Sequence, residues 1–346
     1  MLTRRDALQH LIRLGLLTPD ALVTQSIVAT EYIGRNHLVR FERPGAPCYI
    51  VKQPRDANAP DASTMWTEAA MFWLSVNEPV FAVLRPWMPK YYHYDEPSKI
   101  LTIELIAGAA SLMEKQMAGA PLAPQLHDVG RAFATLHGPA SGVLREERVR
   151  RLFRNGIAWV LTLGVPQSPF VPANQAAQGI VAAVLQRPDA LAALALARAD
   201  WRDAQIVHGD AKAANLLVLA DGAVRVIDWE IAALGDGFWD LAGIVQSLLM
   251  PNPTVAPDTL DVAQPRAQAL IEALWSGYVA VLPPAAHLAD ARMTLLRLTG
   301  ARMIQTCLEW AQVSNQMYPQ TPNLLQMGLE LLTRPEASRQ RWERAA

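Results

Sequence analysis

The chain has 346 residues, 51% of them hydrophobic and 18% charged, and its 31 Lys and Arg against 32 Asp and Glu leave a formal charge of −1. So much apolar content with so little charge excludes disorder as the main theme, and the balance gives no electrostatic case for a nucleic-acid or anionic-membrane partner. At about 150 residues per domain, the length implies two domains or one large bilobal unit. Such a chain can bury a core without metal or disulfide staples. The two cysteines, Cys48 and Cys307, lie far apart with no CxxC and no Cys/His cluster. A zinc site or disulfide framework is therefore not expected, and two free thiols suit a reducing compartment. The opening residues lack the apolar stretch and cleavage site of a secretory signal. The longest apolar run, residues 190–197, is too short to span a bilayer. The expectation is a soluble, cytoplasmic protein.

Leu8, Leu11 and Ile12 stand at i, i+3 and i+4, one stripe of a short amphipathic helix over residues 5–14. Asp6 lies near its start, and Thr18-Pro19 reads as a firm stop. Short β-rich pieces follow at 26–29, 38–42 and 48–52, punctuated by Gly34 and by Pro44-Gly45, the pattern of a meander. Residues 63–76 read as a helix with Trp66, Ala69, Ala70 and Trp73 on a face. Two more strands are expected around Val83 and at 100–106. From Gly108 to residue 200 the pattern is mostly helical, clearest at 129–137. Residues 206–230 break it, with strands at 206–207, 216–219 and 224–227 and a turn at Asp221-Gly222. Helices resume from Asp240, and residues 250–265, rich in proline, read as an exposed loop. The fold class is α+β and bilobal. A helical extension (1–25) precedes a small β-rich N-lobe (26–106). A larger helical C-lobe (107–346) follows, with the hairpin inserted in it.

That hairpin concentrates polar side chains between apolar strands. Asp210, Lys212 and Asn215 precede its first strand, and Asp228 follows its second. Folding the ends together lets two carboxylates, an amide and an ammonium converge. Such a set suits phosphoryl transfer, because Mg²⁺ takes one or two protein oxygens plus nucleotide phosphates. The rest of the task is to align a hydroxyl and offset charge. The run His208-Gly209-Asp210-x-Lys212-x-x-Asn215, then Ile227-Asp228-Trp229-Glu230, then Gly235-Asp236-x-x-Trp239-Asp240-Leu241-Ala242 resembles the catalytic and metal-binding segments of the aminoglycoside phosphotransferase and choline kinase group, which has a protein-kinase-like fold. The resemblance implies ATP and Mg²⁺ as cofactors. It makes Asp210 the base that orients the acceptor hydroxyl and makes Asn215 and Asp228 the Mg²⁺ ligands. Asp240 becomes a brace for the catalytic loop. Lys212 is left open between a transition-state contact and a loop-stabilising role, and His208 reads as a residue packed beneath the loop.

The first third agrees with this. Tyr49-Ile50-Val51-Lys52 is an apolar strand ending in lysine, and Glu68 lies 16 residues on. In such folds a strand lysine contacts the α- and β-phosphates and a helix glutamate holds it. Residues 101–106 resemble the strand entering the hinge, where Glu104, Leu105 and Ile106 would offer backbone groups to adenine. The nucleotide loop should fall near residues 33–38, yet it holds a single glycine, Gly34, so phosphate cradling is assigned to Arg35 or Asn36.

The acceptor is harder to name. Residues 240–346 hold nine Asp or Glu against eight Arg and no Lys, which is no trap for a polycationic aminoglycoside; that substrate remains an alternative. A looser resemblance joins the opening helix, Val51-Lys52-Gln53 and residues 304–335 to the phosphotransferases of class V lanthipeptide and thioamitide pathways. Those act on Ser or Thr of a precursor peptide and pair with a separate lyase. The acceptor is thus expected to be a hydroxyl on a small molecule or on a precursor peptide. A nucleotide-binding pseudokinase is the non-enzyme alternative.

Overall fold

The computed structural model describes residues 2–34, 36–56, 62–166, 168–250, 265–282 and 288–345. The chain divides into two compact units, Met1–Ala110 with Leu217–Ala232, and Ser111–Leu216 with Ala233–Ala346. The hairpin that the sequence places inside the 107–346 lobe thus groups, from residue 217 to 232, with the first unit.

The first unit is built on a five-stranded antiparallel sheet ordered β1-β2-β3-β5-β4. Its strands are β1 (Val28–Ile33), β2 (Asn36–Glu42), β3 (Tyr49–Pro54), β4 (Tyr91–Asp95) and β5 (Ile100–Glu104). The meander register pairs Val39 with Val51, and Val51 with Thr102. Val39, Phe41, Tyr49, Val51 and Ile100 form a core cluster, joined by Leu2, Ala7, Leu11 and Leu17 from the opening helices α1 (Arg4–Arg13) and α2 (Pro19–Thr24) and their flanks. Two polar bonds fix this extension to the sheet: His10 Nε2 meets Thr102 Oγ1 at 3.1 Å, and the Tyr49 hydroxyl donates to the Leu16 carbonyl at 3.0 Å. Thr3 and Asp6 close a reciprocal capping box at the start of α1.

Helix α3 (Ala62–Asn77) buries Met65, Glu68, Ala69 and Phe72. The expected face of Trp66, Ala69, Ala70 and Trp73 divides: the two tryptophans turn outward, 37% and 41% exposed, while Ala69 is buried. Two expectations fail here. Thr18-Pro19 does not stop the chain's helical run but starts α2, with Thr18 Oγ1 accepting from the Ala21 N–H and Pro19 in the first turn. A proline at that position forfeits a donor that has no partner anyway. The expected strand around Val83 is a 3-10 helix, Phe81–Trp87, anchored by N–H groups of Phe81 and Ala82 on the Glu78 carbonyl. The strand itself lies later, at β4. The β8–β9 hairpin (Leu216–Val218 and Val224–Val226) ends the unit, and β9 packs on that 3-10 turn. Its loop bonds Gly222 N–H to the Leu219 carbonyl with only Gly222 left-handed, at φ 84°. This is a type I turn with a glycine bulge rather than a two-residue mirror turn.

The second unit is helical. After the short β6 (Ala110–Ser111), which straddles the boundary, it holds in chain order α4 (Leu112–Met117), α5 (Ala123–His137), α6 (Glu147–Arg150), α7 (Gln175–Leu185) and α8 (Pro188–Asp200). Strand β7 (Gln205–Val207) pairs antiparallel with β10 (Ala233–Gly235), a strand the sequence reading did not mark. Helices α9 (Gly237–Leu249), α10 (Pro265–Val281), α11 (Leu288–Ser314), α12 (Thr321–Thr333) and α13 (Pro335–Ala345) complete it. The loop expected at 250–265 falls almost wholly outside the described residues. Cys48 and Cys307 are both buried free thiols. Among the described residues no single helix is long and apolar enough to cross a membrane.

Helices α5 and α10 cross at glycines. A Cβ on Gly130 would strike the Leu274 carbonyl and come within 2.7 Å of the Tyr278 nitrogen, and one on Gly277 would strike the His127 carbonyl. These are rigid backbone atoms, so a methyl group there forces the helices apart. Gly130→Ala is expected to destabilise the protein by about 1–3 kcal/mol, read as a lowered midpoint in urea unfolding. Gly179→Ala, where a Cβ meets nothing within 4 Å, should be neutral or slightly stabilising.

Candidate active site

Strand β7 delivers the chain into the loop 208–215, and one buried carboxylate shapes that loop. Asp240, in the first turn of α9, accepts the His208 N–H on Oδ2 at 2.7 Å and the Gly209 N–H on Oδ1 at 2.9 Å. It also takes a hydrogen bond from His137 Nε2 at 3.0 Å. A carboxylate only accepts, so His137 carries its proton on Nε2. Nδ1 is then free to accept the Tyr278 hydroxyl at 3.1 Å. Burial, with the Asp236 and Asp240 charges, pushes the Tyr278 phenol up, so it remains a donor. His208 is fully buried and its Nδ1 accepts the Asp210 N–H at 3.3 Å, while Gly209 supplies a left-handed turn at φ 83°.

Asp210 emerges from this loop between two cations. Lys212 Nζ lies 2.5 Å from Oδ2, and Arg302 Nη2 donates to Oδ1 at 2.8 Å. Burial alone would raise the Asp210 carboxyl, but Lys212 and Arg302 outweigh it and hold it below its ordinary value. Asn215 Nδ2 donates to the Asp210 carbonyl at 3.0 Å. Asp210, Lys212 and Arg302 line a cleft of about 190 Å³ within the second unit. Its other walls include Met113, Met250 and Trp310, with Gln246, Thr306 and Glu309 as the polar surface. Sequence reasoning missed Arg302, Glu309 and Trp310. Each is an isolated side chain on α11, about 90 to 100 residues beyond the loop, and nothing local marks it.

The remaining candidates gather in the first unit. On β3, Lys52 Nζ binds both oxygens of Glu68 at 2.8 and 3.0 Å, with Glu68 wholly buried, and stands 4.0 Å from Asp228 Oδ1. Burial alone would lower the Lys52 ammonium. Glu68, then Asp228, outweigh that and keep it above its ordinary value. Asp228 holds a left-handed backbone at φ 68°, a conformation that non-glycine residues adopt at some cost and that clusters at functional sites. Asn36 Nδ2 donates to Glu230 Oε2 at 3.0 Å, so its amide is tied to the segment after Asp228. Arg35 lies outside the described residues. In the expected hinge, the Glu104 N–H bonds the Lys90 carbonyl and the Leu105 N–H bonds the Cys48 carbonyl. Among the described residues, the Ile106 N–H has no partner. The candidates therefore form two groups, Lys52, Glu68, Asp228, Asn36, Glu104 and Ile106 in one unit and Asp210, Lys212 and Asn215 in the other.

Residues 26–279 match the model of the phosphotransferase enzyme family. The chain belongs to that family and is a kinase-class enzyme. Solved structures agree on the fold, which is protein-kinase-like. A choline/ethanolamine kinase family protein from Mesorhizobium loti matches with a TM-score of 0.56 at 17% identity, over 99% of each chain. The ethanolamine kinase of Plasmodium vivax matches at 0.52 and 14%, over 94% of this chain and 86% of its own. A spectinomycin phosphotransferase bound to AMP matches at 0.52 and 13%, over 89% and 93%. A search of curated proteins finds no match.

Removing one member of a buried ion pair strands the other charge, which costs about 3–5 kcal/mol. Glu68→Ala should therefore lower unfolding stability by that order. The paired replacement Lys52→Met with Glu68→Leu should restore most of it while abolishing phosphoryl transfer. Urea denaturation alongside an ATP-consumption assay separates the two effects.

Proposed function

We propose that this phosphotransferase moves the γ-phosphoryl group of Mg-ATP to a hydroxyl of a small acceptor. The observation that carries the reading is the Asp210 carboxylate, ionised between two cations on the wall of a cleft. In this reading Asp210 Oδ2 accepts the acceptor's hydroxyl proton, a new O–Pγ bond forms, and the Pγ–O bond to the β-phosphate breaks. ADP leaves with that electron pair. Lys52, held by Glu68, contacts the α- and β-phosphates, and the unpartnered Ile106 N–H with the Glu104 carbonyl addresses the adenine edge.

The donor set fits Mg²⁺, a hard ion that takes carboxylate and amide oxygens and leaves positions for phosphates. Asn215 spends its Nδ2 on the Asp210 carbonyl, which leaves Oδ1 as its free donor, and the Asp228 side chain is 37% exposed. Each of Asn215 and Asp228 thus offers an oxygen of the kind the ion takes, and the ion when bound would neutralise charge on the phosphates.

A cleft of about 190 Å³ lies below the roughly 300–1,000 Å³ of drug-sized sites. It favours a short alcohol over a multi-ring polycation such as an aminoglycoside. The choline and ethanolamine named for the fold neighbours are acceptors of this size. A second reading is a Ser or Thr side chain of a precursor peptide, processed further by a separate lyase. Lys212, two residues after the base as in protein kinases, favours it.

Pure protein incubated with Mg²⁺ and labelled ATP in source-cell extract, then size-fractionated, should place label on a small molecule. Label on a peptide would support the second reading instead. Asp210→Asn should cut transfer by about 100- to 10,000-fold while Mg-ATP binding, followed by calorimetry, stays within a few-fold. Unchanged turnover in that variant would overturn the assignment of the base.

A further inference from the structure

Both oxygens of Asp210 are occupied: Lys212 sits on Oδ2 and Arg302 on Oδ1. Oδ2 also takes the Asn215 amide at 3.4 Å, so both of its acceptor positions are filled and it receives a hydroxyl proton only when one of those donors gives way. The two cations differ in their freedom to leave. The Lys212 side chain is 44% exposed, on a flexible stem at the cleft wall. Arg302 is 8% exposed and held by more than its ion pair. Its guanidinium lies 5.2 Å over the Trp239 ring, and it projects from α11, a 27-residue helix. The Gly243 backbone of α9 comes so close to the Ala211 carbonyl that no Cβ fits there, and the Gly243 Cβ position is 3.7 Å from Arg302 Nε. Loop and α9 are thus packed without slack at Gly243, with Arg302 beside that crossing.

We propose that Arg302 is a positioning residue for the transfer, the fixed half of a two-cation clamp: it keeps hold of Asp210 Oδ1 while Lys212 releases Oδ2 to the acceptor hydroxyl. The inference rests on Asp210 being the base. Its chemical content is directional. One carboxylate oxygen is assigned to orientation and the other to proton acceptance, so the acceptor approaches on the Lys212 side. Lys212 is freed by an anion that competes for it, the γ-phosphate of the nucleotide. The guanidinium fork is needed because it fixes the carboxylate plane, which an ammonium, a point charge, does not.

The test uses the full chain with Mg²⁺ and ATP, taking water as the acceptor and following release of ADP. Arg302→Met should lower turnover about 100-fold, the scale of a small misplacement of a reacting group. The KM for ATP should stay within about twofold, because Arg302 belongs to the acceptor cleft. Arg302→Lys should recover only a minor part, and added guanidinium should raise the rate of Arg302→Ala but not of the wild type. Arg302→Met turning over like wild type, or losing turnover through KM for ATP, overturns the proposal. A crystal structure of the unmodified protein with Mg²⁺ and the β,γ-imido analogue of ATP needs no folded variant. It should show Arg302 still on Oδ1 and Lys212 away from Oδ2, and the reverse arrangement sinks the clamp. Asp210→Asn in the same assay separates the two failures. If it loses turnover while Arg302→Met does not, only the clamp is wrong. If it is as active as wild type, the assignment of the base falls and the clamp with it.

Discussion

One buried carboxylate holds the 208–215 loop in shape. Asp240 is buried, and it gathers two consecutive backbone N–H groups and an imidazole onto two oxygens. A buried backbone donor left without a partner costs about 1–3 kcal/mol, so the loop cannot leave this arrangement cheaply. The His137 ring passes the constraint to Tyr278 on α10, and the glycine crossing of α5 and α10 sets how near those two helices stand. The position of Asp210 is thus referred back to helix packing in the second unit rather than to the loop's own preferences.

The first unit repeats this economy with a different pair. Lys52 and Glu68 are both removed from water, which is unfavourable for each alone and tolerable because each ammonium–carboxylate contact is short and doubled. The pair fixes α3 to the sheet at the point where β3 carries its lysine. A left-handed Asp228 in the same unit keeps its carboxylate exposed beside them. Charge in the two groups is arranged in opposite senses. A cation is surrounded by carboxylates in one, and a carboxylate by cations in the other.

The legible part of this molecule was the part encoded locally. Strands with alternating or continuous apolar residues, the helix carrying Glu68, and the loop from His208 to Asn215 can all be read from neighbours in sequence, because their geometry is decided within a few residues. The misread turns at Thr18-Pro19 and Val83 show the limit. Proline after threonine signals a boundary, and only the packing decides whether a helix is ending or beginning there. Trp66 and Trp73 show another limit, since a shared face can be read from spacing while the side it turns to cannot. Arg302 was out of reach for a deeper reason. Its partner is 92 residues away, and an arginine on a long helix looks the same whether it faces water or a carboxylate on a distant loop.

The division of the chain also bears on how it is made. The first unit is assembled from residues 1–110 and 217–232, and the second from 111–216 and 233–346. A ribosome adding about 5–20 residues per second completes the sheet's five strands early, yet the β8–β9 hairpin that packs on the 3-10 turn arrives only after more than a hundred further residues. The first unit is therefore complete only once residue 232 has been made. Cutting the gene at the boundary near residue 110 would yield a fragment with a sheet but without the carboxylate of Asp228, and separate expression of the two units would require an inserted or permuted chain.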